Sequence, residues 1–323
     1  MVREVKVHGG KVEVTIALTV PNCPLKSQIE ADVRAGIAAL PEVEQVSVRF
    51  TSMTDEERKE LFGELKEGSA APYNHVQRMV AVMSGKGGVG KSLVTGLLAS
   101  ALARDGYQVG ILDADITGPS IPMLFGLQGP LEPGPVGIRP LQSWTGIKII
   151  SMNFLLENED TPVIWRGPLI GRAITQLWGD VMWGNLDYML VDLPPGTSDA
   201  SLTTMQSLPV NGIVMVTTPQ SLASMVVRKA VHMAQAVNTP IIGVVENMAY
   251  FVCPDTGKRH FIFGPSHVSE VMMAAGAPLL AQLPIDPQVS ALCDAGNIEM
   301  VTLAEIPGAD IKRKHKMNYV LVP

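Results

Sequence analysis

Gly85-Lys86-Gly87-Gly88-Val89-Gly90-Lys91-Ser92 fits the pattern G-x-x-x-x-G-K-[ST] and constrains this chain more than any other stretch. The pattern arises by chance in about 1% of chains of this length at ordinary residue frequencies. Its setting narrows the reading further. Arg78 to Ser84 has an apolar core of strand length, and Leu93 to Arg104 has helix-forming residues with Gly106 as a stop. A glycine-rich loop between a strand and a helix N-terminus can turn its amides inward on an anion. The helix dipole adds positive potential there and Lys91 supplies a point charge. Gly85 to Ser92 is therefore expected to hold the phosphates of a nucleotide.

From Val76 onward, near-continuous apolar runs alternate with helical segments. The runs are Met79–Met83, Val109–Leu112, Ile147–Ser151, Tyr188–Val191, Ile213–Val216, Ile241–Val245 and Leu279–Leu283, and Leu169–Trp178 and Leu222–Val237 read as helices. Uninterrupted apolar strands belong to a parallel sheet covered on both faces. The expected fold is a doubly wound, mostly parallel α/β domain with its ligand beyond the carboxyl ends of the strands. Before it, Lys11–Val20 and Val43–Phe50 alternate as half-buried strands around an amphipathic helix over Gln28–Leu40. The expected organisation is a small α+β domain over 1–65, a linker over 66–75 and the P-loop domain over 76–323. Thr54–Leu65 reads as a charged helical tail to the small domain.

Lys86, directly after the first glycine and followed by Gly87-Gly88, marks a deviant form of the loop. Here the chain resembles the MinD/ParA-like ATPases, and within them the Mrp/ApbC-type iron–sulfur cluster carriers. The resemblance extends to Val20-Pro21-Asn22-Cys23-Pro24, which is similar to a turn of the small iron–sulfur assembly domain fused to many such carriers. It implies a homodimer with ATP between subunits, in which Lys86 of one copy reaches the nucleotide of the other. Asp113-Ala114-Asp115, leading to Gly118-Pro119-Ser120, is similar to the family's first switch. That match makes Asp115 the residue that orients or deprotonates the attacking water, with Asp113 organising Mg2+ or the switch. Asp192, closing an apolar strand before Pro194-Pro195-Gly196-Thr197, fits the second metal-holding element of P-loop enzymes. It would hold Mg2+ together with the Ser92 hydroxyl. Glu246-Asn247-Met248 resembles a turn whose asparagine reads adenine, and Pro284-Ile285-Asp286-Pro287 matches a loop near the base. Trp165-Arg166-Gly167-Pro168 also matches, with no role for Arg166 beyond an interface or phosphate-side contact.

At Cys253-Pro254-Asp255-Thr256-Gly257 the chain departs from these relatives. The resembling carriers have C-P-x-C-G there, and two such pairs hold a [4Fe–4S] cluster across the dimer. Thr256 stands at the second cysteine, and its hydroxyl is a poor ligand for iron. Three outcomes stay open. Cys253 from both subunits binds a cluster with other ligands or an exogenous thiol; Cys23 or Cys293 completes the set; or cluster binding has been lost, by nature or by engineering. His260 and His267 lie nearby without a metal-binding spacing.

The three cysteines exclude a secreted disulfide framework, and most of the seventeen methionines read as core filling. A formal net charge of −6 gives no footprint for nucleic acid. No apolar run is long enough to span a membrane, the N-terminus has no signal-peptide core, and Lys312 to Lys316 reads as a solvated basic tail. The expectation is a cytoplasmic ATPase, with ATP, Mg2+ and an iron–sulfur cluster as ligands and scaffold and recipient apoproteins as partners. The rival is a MinD/ParA-like dimerisation switch or scaffold that never holds a cluster. A nickel-inserting ATPase would be expected to carry a His-rich tract, which is absent.

Overall fold

The computed structural model describes residues 2–18, 26–38, 40, 43, 45–52, 70–115, 118, 120–151, 154, 167–197, 199–220, 222–302 and 310–311. The readings on Cys23, on 54–65, on Trp165 and Arg166 and on the basic tail lie outside them. Two units emerge, Met1–Lys66 and Glu67–Pro323.

In the first unit, strands β1 (Val2–His8) and β2 (Lys11–Leu18) form an antiparallel hairpin. Its turn is Gly9-Gly10, with φ of +48° and +78°, as a two-residue primed turn requires. Helix α1 (Lys26–Ala38) then crosses to β3 (Gln45–Ser52), which runs parallel to β2. Val12, Val14 and Ile16 are buried against Val33, Ile37, Val48 and Phe50. The alternation read from Lys11 onward thus marks the inward face of β2. Strand β1 was not anticipated, since its Val5 and Val7 point outward and it has little apolar burial to announce it.

The second unit is built on a nine-stranded sheet. In chain order its strands are β4 (His75–Ser84), β5 (Val109–Asp113), β6 (Leu141–Gln142), β7 (Lys148–Ser151), β8 (Asn185–Asp192), β9 (Gly212–Thr217), β10 (Ile241–Glu246), β11 (Leu279–Gln282) and β12 (Asp310–Ile311). Their order across the sheet is β12-β11-β10-β9-β4-β8-β5-β7-β6. All pairs are parallel except the two at the edges. The principal helices are α2 (Lys91–Arg104), α3 (Gly167–Gly179), α4 (Asp199–Ser207), α5 (Leu222–Ala236), α6 (Val268–Ala275) and α7 (Pro287–Asp294).

Successive strand residues feed opposite cores, which is why the runs are continuously apolar. Met79, Ala81 and Met83 join Met189, Val191, Ile213 and Met215 on the face packed by α3 and α5. Val80 and Val82 join Ile111, Leu190, Val214 and Val216 on the face packed by α2. Helix α2 is enclosed nearly all round, with Val94, Leu97, Leu98, Ala99 and Leu102 buried. Gly96 leaves room there for the end of the Ile298 side chain, which a Cβ at that position would displace. Among the described residues no helix is long and apolar enough to cross a membrane.

Candidate nucleotide site and cysteine hairpin

The P-loop joins the end of β4 to the start of α2 at the middle of the sheet. Gly88 and Gly90 have φ of +76° and +81°, a left-handed backbone open to glycine, and Gly90 caps α2. A side chain at Gly90 would collide with the amide of Asn247. That amide, buried just beyond β10, donates to the Val89 carbonyl at 3.0 Å. Asn247 therefore braces the loop from the next strand but one, at the position expected to read adenine. The loop's other wall is the turn after β8. Gly196 N donates to the Ser84 carbonyl at 3.1 Å. Ser201 of α4 donates to the carbonyls of Pro194 at 3.0 Å and Gly196 at 3.3 Å.

Two expected residues, Lys91 and Ser92, meet at the Asp192 carboxylate, with Asp113 and Asp115 close by. Lys91 Nζ donates to Asp192 Oδ2 at 2.7 Å and lies 3.5 Å from Asp115 Oδ2. Ser92 Oγ donates to the same Asp192 oxygen at 2.5 Å. Asp113 sits opposite Asp192 in register on β5, fully buried, and accepts from Ser151 Oγ at 3.0 Å and from the Asp115 amide at 3.1 Å. Burial first, then the neighbouring Asp192 charge, pushes the Asp113 carboxyl well above the usual carboxylate range. Burial also raises Asp192, opposed by Lys91 and by hydrogen bonds from Lys91, Ser92 and Thr95. Thr95, one turn into α2, donates to Asp192 Oδ1 at 2.7 Å and was missed from the sequence. Its spacing from Lys91 puts it on the same helix face, which is the signal that could have found it.

Lys86 is half-buried, and its ammonium donates to Gln220, just past β9. Gln220 was not anticipated either, and nothing local in the sequence ties it to Lys86. Pro284 is buried beyond β11 and begins a loop whose Ile285 amide donates to the Tyr250 carbonyl at 2.7 Å. Asp286 caps α7 by accepting from the Gln288 amide at 2.8 Å.

After Asn247, Met248 adopts a φ of +57°, unusual for a residue with a side chain. The chain then forms a short hairpin pairing Phe251–Val252 with Arg259–His260, and Cys253 lies at its tip. The Cys253 amide donates to the Lys258 carbonyl at 2.9 Å, and the Gly257 amide to the Cys253 carbonyl at 2.8 Å. The Thr256 hydroxyl, then the Thr256 and Asp255 amides, hold the Cys253 thiol below its usual range. Such a turn presents a sulfur with donors behind it, as a thiolate ligand needs. Beside it Phe261, Ile262 and Phe263 are exposed, and Arg259 stacks 4.4 Å over the Tyr250 ring. Cys293 is buried in α7, so it is not presented to a ligand. His267 lies 3.3 Å from Glu270, and His260 is exposed on the hairpin. Among the described residues, no group of three or more His, Cys, Asp or Glu side chains is placed to hold a metal ion.

Residues 75–317 match the family model described as NUBPL iron-transfer P-loop NTPase, and residues 1–48 match that of an iron-sulfur cluster assembly protein. The iron-sulfur cluster carrier protein of Aquifex aeolicus is 41% identical over 311 residues, covering 92% of this chain and 84% of the relative. A nucleotide-binding protein from Archaeoglobus fulgidus, solved in complex with ADP, is 44% identical with a TM-score of 0.66, covering 73% of this chain and 94% of that one. The MinD cell division protein of Aquifex aeolicus shares the fold alone, at 19% identity and a TM-score of 0.52, over 71% of this chain and 91% of that one.

Proposed function

This chain belongs to the NUBPL iron-transfer P-loop NTPase family, and from that premise we propose that it binds and hydrolyses ATP as a homodimer and uses the nucleotide to gate the binding and delivery of iron–sulfur clusters. The observation that carries the reading is the convergence of Lys91, Ser92, Asp115 and Asp192 beneath the glycine loop. In an ATP complex Lys91 would leave Asp192 for the β- and γ-phosphate oxygens, and the loop amides from Gly85 to Ser92 would cradle the rest. The donor set suits Mg2+, because hydroxyl and carboxylate oxygens are hard ligands and that ion is usually held by one or two carboxylates plus phosphates. Ser92 and Asp192 would hold it, with Asp113 behind them, and it would neutralise charge on the transferring phosphate. Asp115 would orient the attacking water, and Lys86 of the second copy would face the γ-phosphate. Positioning and electrostatics carry phosphoryl transfer, so no strong base is required.

Cluster handling is supported by the Cys253 hairpin and by the carrier named among the relatives. Each copy would offer one thiolate there, with Thr256 as its hydrogen-bond donor rather than a second ligand, so two copies supply two thiolates. The cluster is cargo, taken from a scaffold and passed to apoproteins in the cytoplasm. The small unit over 1–65 would contribute to that exchange. Thr256 favours a second reading, a nucleotide-dependent dimerisation switch that carries no cluster.

Anaerobic reconstitution followed by iron and sulfide counting separates the two. Wild type that gains iron and sulfide, lost in Cys253→Ala, supports the carrier. Iron in Thr256→Cys but none in wild type supports the switch.

A further inference from the structure

Lys86 is held at its backbone by the loop and at the tip of its side chain by a residue far along the chain. Ser84 Oγ donates to the Lys86 carbonyl at 3.0 Å, while Gly196 N holds the Ser84 carbonyl from the other side. The position of the main chain is therefore set by its own copy. The ammonium at the end of four methylenes is the part that can choose a partner. In this chain it chooses Gln220, 134 residues further on. Both side chains are half-buried, so water competes only partly for the bond.

We propose that Gln220 is a positioning residue that parks Lys86 on its own chain, and that breaking this bond is a step in pairing two copies over nucleotide. The inference rests on the reading of Lys86 as a residue that serves the partner's nucleotide. A neutral amide suits the task. A bond from an ammonium to an amide oxygen is stronger than one between neutral groups, yet lacks the hold of an ion pair. The turn around Gln220 is also incompletely satisfied. Among the described residues, the Thr218 hydroxyl is one of two buried side-chain oxygens with no partner. A turn in that condition loses less when it rearranges. Lys86 thus begins each cycle withheld, and contact with a second copy must outbid Gln220 for it.

The test is dimerisation of the full chain, followed by sedimentation velocity with Mg2+ and a non-hydrolysable ATP analogue. Gln220→Ala should lower the protein concentration for half-dimerisation by about tenfold to a hundredfold, the scale of two net hydrogen bonds, one released in each copy. Gln220→Glu, which adds an ion pair, should raise it. Analogue affinity measured on dilute monomer should stay unchanged in both, a result that a merely structural role would not give. In a Lys86→Ala background neither substitution should shift the midpoint, because the cycle isolates the pair. A wild-type dimer indifferent to Gln220, one weakened by Gln220→Ala, or shifts that persist without Lys86 would overturn the parked lysine alone. A wild type that stays monomeric with the analogue would overturn the paired-copy reading and this inference together.

Discussion

The ammonium nitrogen of Lys91 lies 2.7 Å from Oδ2 of Asp192, with 5% and 0% of the two side chains exposed. The cation that should meet phosphate is thus already neutralised inside the protein. A buried pair of this kind gains little net energy, since desolvation offsets much of the attraction. An incoming phosphate can therefore take Lys91, provided something replaces it at Asp192.

Asp192→Asn should uncouple the two halves of that exchange. Lys91 would be released, and ADP without Mg2+ should bind about threefold to tenfold tighter than in wild type, the scale of one net hydrogen bond. Adding Mg2+ should then improve affinity less than it does in wild type. Calorimetric titration with and without EDTA reads both effects, and unchanged Mg2+-free affinity would refute the competition.

Lys86 and Asp115 should affect turnover more than binding. Lys86→Ala should keep ATP affinity within about twofold while hydrolysis falls at least 100-fold, the loss typical of removing a charge aimed at the transition state. Asp115→Asn should slow hydrolysis about 100-fold or more and accumulate the ATP-bound form. Single-turnover phosphate release measures both, and wild-type rates in either variant would remove that residue from the chemistry.

Gly90→Ala combines a φ of +81° with a collision against the Asn247 amide. The backbone strain alone should cost about 1–3 kcal/mol, visible as a lower Tm. Adding Asn247→Ala should recover the part due to the collision and leave the part due to φ. Strict additivity in the double variant would show that the Asn247 amide does not occupy the space above Gly90.

The thiols should separate by pH. Burial, with Asp294 nearby, pushes the Cys293 thiol up to about 11 from 9.0. Its folded value lies above its unfolded one, so its stabilising contribution is complete below pH 9.0 and is lost as pH rises through about 11. Cys253 has the opposite sign, because Thr256 lowers it. Iodoacetamide labelling mapped by peptide mass should show Cys253 reacting below pH 9.0, with Cys293 protected until the alkaline limb. Thr256→Val should move the Cys253 profile toward higher pH, and an unmoved profile would contradict the hydroxyl's role.

Much of this architecture is written in local pattern. The parallel strands announce themselves because both of their faces are covered, and Ser92 and Asp192 follow from the loop pattern and from the apolar strand that ends in a carboxylate, whereas Asp113 and Asp115 rest on the resemblance of their D-A-D run. What escaped is decided by neighbours distant in the chain. Lys86 meets Gln220 only because β9 lies beside β4, and Asn247 reaches Val89 only because β10 comes next. The two-residue edge strands β6 and β12 are too short to leave a periodic trace. Strand β1 carries Val5 and Val7 on an outward face, where alternation signals no core.

The strand that carries the phosphate loop has four neighbours on either side, and the sheet thins at both rims to antiparallel pieces of two residues. Thermal breathing should begin at those rims and reach the middle only when the whole domain opens. Backbone amides along β4 would then be among the last to exchange with deuterium, with or without ligand. The phosphate cradle is thus rooted in the part of the domain that opens last.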